Sequence, residues 1–136
     1  MITELNVDQL QTLQAGLKTE ILIIKFGAEW CGPCKLIAPA YAAFHSKCPR
    51  NIICADIDVD DNMDLYMALK KQKMVKGIPV FLAFFGGVKR DFWFIPDDSV
   101  VGADSAEVAK FFDRCLKKAA TLLPNALIDG GYTYYS

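Results

Sequence analysis

The sequence predicts an α/β fold, a central mixed β-sheet flanked by helices on both faces. Three observations predict it. Apolar runs of strand length, at 20–27, 51–59 and 80–85, alternate with segments of helical periodicity. The early strand–helix–strand order implies a parallel pair joined by a right-handed crossover. Gly86-Gly87, directly after an apolar run, reads as a hairpin turn and hence an antiparallel pair. A sheet of both pairings has both faces covered, and a hydrophobic content of 53% agrees with doubly buried strands.

Each element has its own signal. Asn6 and Gln9 have capping-box spacing, and Leu10, Leu13 and Leu17 follow at helical intervals. Residues 20–27 form the first strand. A helix over about 32–47 follows, with Ile37, Tyr41, Phe44 and Cys48 in register; it contains Pro39 and stops at Pro49. Residues 51–59 form the second strand. Asp60, Asp61 and Asn62 offer caps for a short helix over about 62–72. Val80 to Phe85 is the third strand, Val88 to Phe94 the returning one, and 95–99 a loop. Asp104 and Glu107 have capping-box spacing and open a last helix, whose apolar face carries Val108, Phe111, Phe112, Cys115, Leu116 and Ala119 up to about Leu123. The expected organisation is one folded domain over 1–123 and a tyrosine-rich C-terminal extension over 124–136.

Composition removes several classes of function. A net charge of −1 gives no basic surplus for nucleic acid or an anionic membrane. No apolar run approaches the roughly 20 residues of a membrane span. Residues 1–6 lack a positive region followed by an apolar one, so no signal peptide is expected. Five cysteines, three of them isolated, suit a reducing compartment, and the expected location is cytoplasmic. Asp58, Asp60, Asn62 and Asp64 imitate the start of a calcium loop. Met63 and Leu69 stand where its glycine and glutamate are needed, so the stretch reads as a strand end and helix cap.

The chemistry lies in Trp30-Cys31-Gly32-Pro33-Cys34. The two thiols fall at a strand-to-helix junction. Cys31 stands at the first helical turn, where unpaired N–H groups and the helix dipole favour a thiolate. Pro33 fits a turn that needs no N–H from it. Cys34 comes one turn later, mostly under the surface. A low-pKa, exposed thiol followed by a sheltered one suits thiol–disulfide exchange. A structural disulfide and a zinc site are the alternatives. Zinc needs two more ligands, and the remaining cysteines, Cys48, Cys54 and Cys115, are isolated, with His45 the one histidine. No metal site is therefore expected. Cys54 and Cys115 read as small core residues, His45 as a surface helix residue and Cys48 as an extra exposed thiol.

Phe26, then Ala28-Glu29-Trp30-Cys31-Gly32-Pro33-Cys34-Lys35, Pro39, Gly77-Ile78-Pro79 and Val101-Gly102-Ala103 together resemble the thioredoxin family over roughly residues 5–118. The resemblance implies the thioredoxin fold and a protein-disulfide reductase, with Cys31 as nucleophile and Cys34 resolving the mixed disulfide. It implies a cis Pro79 opposite the dithiol, and a docking surface of Trp30, Gly32, Pro33, Gly77, Ile78, Pro79 and Gly102. No cofactor would be bound beyond the redox-active Cys31–Cys34 disulfide. NADPH would act only indirectly, through a thioredoxin-reductase-like donor. Disulfide-containing proteins would be the substrates of a monomer. An isomerase or oxidant with a raised potential, and a non-catalytic thioredoxin-fold binding subunit, are the other readings.

The chain departs from the family's pattern beneath the dithiol. Lys25 stands where the family has a buried acid, and Asp56 where it has a lysine. The expectation is an ion pair with exchanged charges under Cys34, because a lone buried lysine is costly. A strand-edge lysine that reaches solvent is the alternative. Gly27, where the family often has a bulky aromatic, would open space beside the dithiol. The segment 89–100 is about eight residues longer than the family's usual link. Its expected end near Gly102 would bring it to the docking surface.

Overall fold

The structure, a computed structural model, describes residues 1–123. The tyrosine-rich extension over 124–136 lies outside the described residues. The chain runs α1 (Val7–Gly16), β1 (Ile21–Gly27), α2 (Gly32–Lys47), β2 (Ile52–Asp58), α3 (Met63–Lys71), β3 (Val80–Phe85), β4 (Asp98–Val101) and α4 (Ser105–Leu122).

All seven residues of β1 are buried, as a central strand covered on both faces requires. The sheet order is β2-β1-β3-β4; β1 pairs parallel with β2, and β3 pairs antiparallel with β1 and with β4. Side chains alternate across it. Ile21 and Ile23 share a core with Ile37 and Tyr41 of α2 and with Phe111 and Cys115 of α4. Leu22, Ile24 and Phe26 share the other with Leu10 of α1 and with Leu65 and Leu69 of α3. Ile2 exchanges backbone hydrogen bonds with β2, from Ile2 N to Cys54 O and from Asp56 N to Ile2 O, and so covers part of that sheet edge.

The caps form where hydrogen-bonding side chains precede each helix, with one exception. Asn6 and Gln9 make the reciprocal capping box of α1. Only half of the expected Asp104–Glu107 box forms: the Asp104 carboxylate accepts from Ala106 N and Glu107 N at the start of α4, while the Glu107 carboxylate pairs with Lys110. Asn62 occupies the cap position of α3 but turns inward. Its Oδ1 accepts from Leu5 N at 2.9 Å and its Nδ2 donates to Asp58 O at 3.0 Å, tying the N-terminal segment to the end of β2. Asp58, meanwhile, accepts from Asp60 N within the turn.

The returning strand is the main difference from the sequence reading. It lies at Asp98–Val101, and residues 88–97 form a loop instead. Phe92, Trp93 and Phe94 have strand propensity, but the loop is closed on itself. The Arg90 guanidinium pairs with Asp97 and stacks over the Phe84 ring, and Asp97 N donates to Ala83 O. Trp93 and Phe94 pack on the α1/α3 core, and the Trp93 carbonyl accepts from Gln14 Nε2 at 2.8 Å. This places the loop at the Ile21 end of β1, opposite the end that carries the cysteines. Only β4 returns toward Gly102, so the body of the extra segment does not reach the expected docking surface. Gly86 is required at the turn into the loop, since a Cβ there would lie 2.4 Å from Lys18 O. Among the described residues, no helix is long and apolar enough to cross a membrane.

Candidate active site

The end of β1 and the first turn of α2 meet at the two cysteines. Cys31 is the N-cap of α2, and its Sγ accepts from Cys34 N at 3.2 Å. A sulfur thereby takes the place of the capping oxygen and meets one of the helix's unpaired donors. Cys31 and Cys34 form a disulfide, with their Cα atoms 5.2 Å apart. Cys34 is sheltered as expected, but Cys31 is buried too rather than exposed, because in the disulfide its sulfur is turned toward Cys34 and the Ile78 carbonyl. Opposite the two cysteines, the Ile78–Pro79 peptide bond is cis and Ile78 O lies 3.9 Å from Cys31 Sγ.

A low, open surface surrounds the pair. A Cβ at Gly32, Gly77 or Gly102 would meet nothing within 4 Å, so the backbone there stands clear. Gly102 has φ +95°, which a side chain would strain, and its N–H donates to Pro79 O. The Trp30 ring is 70% exposed and held at one edge, with Nε1 donating to Asp60 Oδ2 at 2.7 Å. Pro33 and Leu36 are exposed on the same first turns of α2.

Beneath Cys34 the charge arrangement is the one the sequence pointed to. Lys25 and Asp56 are direct partners in the β1–β2 register. Lys25 Nζ lies 3.7 Å from Asp56 Oδ1; the lysine side chain is 6% exposed and the aspartate 44%. The ammonium is thus sheltered, while the carboxylate keeps solvent on one side. A Cβ added at Gly27 would touch Cys34 Sγ at 3.4 Å and Lys25 Cε at 3.6 Å, so Lys25 and the Cys34 sulfur border the same space. That space belongs to a cleft of about 700 Å³ lined by Lys25, Gly27, Cys34, Ala38 and Asp56. The cleft gives bulk solvent a route to the underside of the disulfide.

Away from the dithiol, His45, Cys48 and Cys54 come together. His45 is half-buried rather than a plain surface residue, and its Nδ1 is buried with no hydrogen-bond partner among the described residues. It lies beside Cys48 and Cys54, one ligand atom of each falling within 4.8 Å of the others. The three cysteines outside the dithiol differ in character. A hydrogen bond from Cys54 lowers the Cys48 thiol to about 7, while the same contact and burial push Cys54 far up. Burial pushes Cys115, in the core, up to about 12. Spacing alone gave no signal for this group, because its members sit on a helix end and a strand that only the fold superposes.

Comparison with known proteins agrees with this geometry. The thioredoxin family model matches residues 4–113. The chain is 34% identical over 112 residues to the thioredoxin of Coprinus comatus, covering 82% of this chain and 93% of that one. It is 32% identical over 79 residues to thioredoxin domain-containing protein 8 of Rattus norvegicus, covering 58% of each. The solved thioredoxin of Fasciola hepatica superposes with a TM-score of 0.65 at 25% identity, covering 84% of this chain and 98% of that one.

Proposed function

The chain belongs to the thioredoxin family of thiol–disulfide oxidoreductases, and on that premise we propose that it is a protein-disulfide reductase working through Cys31 and Cys34. The observation that carries the reading is the disulfide at the N-terminus of α2. Its first sulfur accepts a backbone N–H there and faces Ile78 O across an open surface.

In the reduced protein the Cys31 thiolate attacks one sulfur of a substrate disulfide. A Cys31–substrate disulfide forms, and the other substrate sulfur leaves as a thiolate. Cys34 then loses its proton and attacks Cys31 Sγ. The Cys31–Cys34 bond forms and the second substrate thiolate leaves. The substrate gains two electrons and two protons, and this protein is oxidised to the disulfide seen here. The surface of Trp30, Gly32, Pro33, Gly77, Ile78, Pro79 and Gly102 receives the substrate chain. The oxidised form is reduced again by a thioredoxin-reductase-like donor, with NADPH as the distant electron source. The protein acts as a cytoplasmic monomer whose domain ends near residue 123.

Lys25 and Asp56 act on the second step. A cation bordering the same space as Cys34 favours its thiolate and so lowers the barrier to resolution. A stabilised dithiol is also harder to reoxidise, which makes the disulfide the stronger oxidant. The reduction potential is therefore expected above the roughly −270 mV of thioredoxin, with Asp56 limiting the shift. This same lysine supports the second reading, an isomerase or oxidant.

Insulin reduction with dithiothreitol, measured for the protein and for Cys31→Ser, tests the proposal. Activity that Cys31→Ser abolishes supports the reductase. Equal rates in both, or none in either, would leave a binding subunit. A redox titration against glutathione gives the direction: a potential near −270 mV or below overturns the role given to Lys25.

A further inference from the structure

The C-terminal end of α2 carries a second cluster of chemically active side chains that the disulfide chemistry does not use. His45 and Cys48 are three residues apart on the last turn of the helix. Cys54 comes up beneath them from the face of β2 that packs against α2. The chain turns at 49–51, so a strand six residues on lies under the helix it has just left. The outcome is an imidazole and two thiols, with one ligand atom of each within 4.8 Å of the others.

We propose that His45, Cys48 and Cys54 bind a divalent thiophilic cation of the zinc type. Bond lengths of about 2.0–2.3 Å around a tetrahedral ion set neighbouring ligand atoms roughly 3.5–3.8 Å apart. From a spacing within 4.8 Å the ligands need to close by at most about 1.3 Å. His45 Nδ1 is buried with no partner among the described residues, a polar nitrogen that a metal bond would satisfy. Two thiolates neutralise a divalent ion, so the complex adds no net charge to a half-buried place. The site also lies at the negative end of the helix dipole, which favours a cation. Cys48 is half-exposed, leaving a side from which solvent completes the fourth position. Binding displaces the thiol protons to solvent. Cys54 belongs to the α2/α4 core and Cys48 and His45 to the helix end, so the ion would fasten α2 to β2 at the end remote from the dithiol.

The test uses the full chain carrying Cys31→Ser and Cys34→Ser, which removes the competing dithiol, kept reduced by a phosphine. Zn²⁺ is titrated against a chromophoric chelator, and Co²⁺ is added separately as a spectroscopic probe. The expected result is one Zn²⁺ per chain and a thiolate-to-cobalt charge-transfer band. Cys48→Ser should remove the band, and His45→Ala should weaken Zn²⁺ at least tenfold, with circular dichroism confirming that each variant is folded. Both changes fall at a partly exposed helix end, so the test does not depend on replacing the buried Cys54. No stoichiometric binding overturns the proposal. So does an affinity that either variant leaves unchanged, or a Cys48–Cys54 disulfide that forms in air equally fast with and without Zn²⁺.

Discussion

At one end of α2, Cys34 N donates to Cys31 Sγ at 3.2 Å; at the other, Cys48 Sγ donates to His45 O at 3.4 Å. The two ends of a helix about 24 Å long both hold sulfur beside sulfur, with opposite backbone surroundings. At the N-terminus free N–H groups meet the sulfur, a setting that stabilises negative charge. At the C-terminus free carbonyls meet it, a setting that keeps a proton or takes a cation. Cys48 is nevertheless lowered to about 7, and the cause is its neighbour Cys54 rather than the helix. A thiolate at the first end is supported by the fold, and one at the second by a partner thiol that stays protonated. The first arrangement suits exchange with an outside disulfide, the second suits a local ligand set.

Substitutions at each end test this contrast. The largest effect is expected for Cys34→Ser: turnover is lost and a covalent Cys31–substrate adduct accumulates, visible by mass spectrometry. Alkylation of Cys48 should be unchanged in that variant; a change would show that the two ends are coupled. Gly86→Ala, which drives a Cβ into Lys18 O, should cost about 1–3 kcal/mol by urea denaturation, while the reduction potential of the folded protein stays the same. Lys25→Met should lower the reduction potential by about 30 mV, a tenfold change in the exchange equilibrium, without lowering stability. An unchanged potential would show that only the helix end governs the dithiol.

At the other end, alkylation of Cys48 by iodoacetamide should rise with pH through about 7, because the thiolate is the nucleophile. Cys54→Ala removes the supporting hydrogen bond, so the midpoint should move up toward the ordinary thiol value of about 8.5. A midpoint that stays put would mean the helix end itself sets Cys48. The smallest effect is expected midway along α2. Tyr41 OH lies 2.9 Å from Ala55 O and 3.3 Å from Ile23 O, and Tyr41→Phe should cost about 1 kcal/mol.

The exchange chemistry was legible in the sequence because it is encoded locally. Cys31 and Cys34 share one helical turn, and the Asn6–Gln9 box closes over three residues. The Lys25–Asp56 pair was readable only through the family resemblance, which sets the two positions side by side with their charges exchanged; the β1–β2 register then makes them direct partners. The other end of α2 was opaque for a physical reason. His45, Cys48 and Cys54 look isolated until the turn at 49–51 folds the strand beneath the helix, and no periodicity announces that return. Propensity alone misplaces β4. Phe92-Trp93-Phe94 would suit a strand, but Arg90 and Asp97 close the loop first, and the aromatic rings serve to cover the α1/α3 core instead. Residue type makes Asn62 a cap, yet the N–H of Leu5 claims its side chain.

The 88–97 loop has a practical consequence. It is fastened by its own ion pair and rests at the far end of the sheet from Cys31 and Cys34. Exposed loop tips of this kind tolerate added length. A fluorophore or affinity handle grafted near Lys89 would report on the molecule from behind, leaving the surface around Cys31 and Cys34 unencumbered.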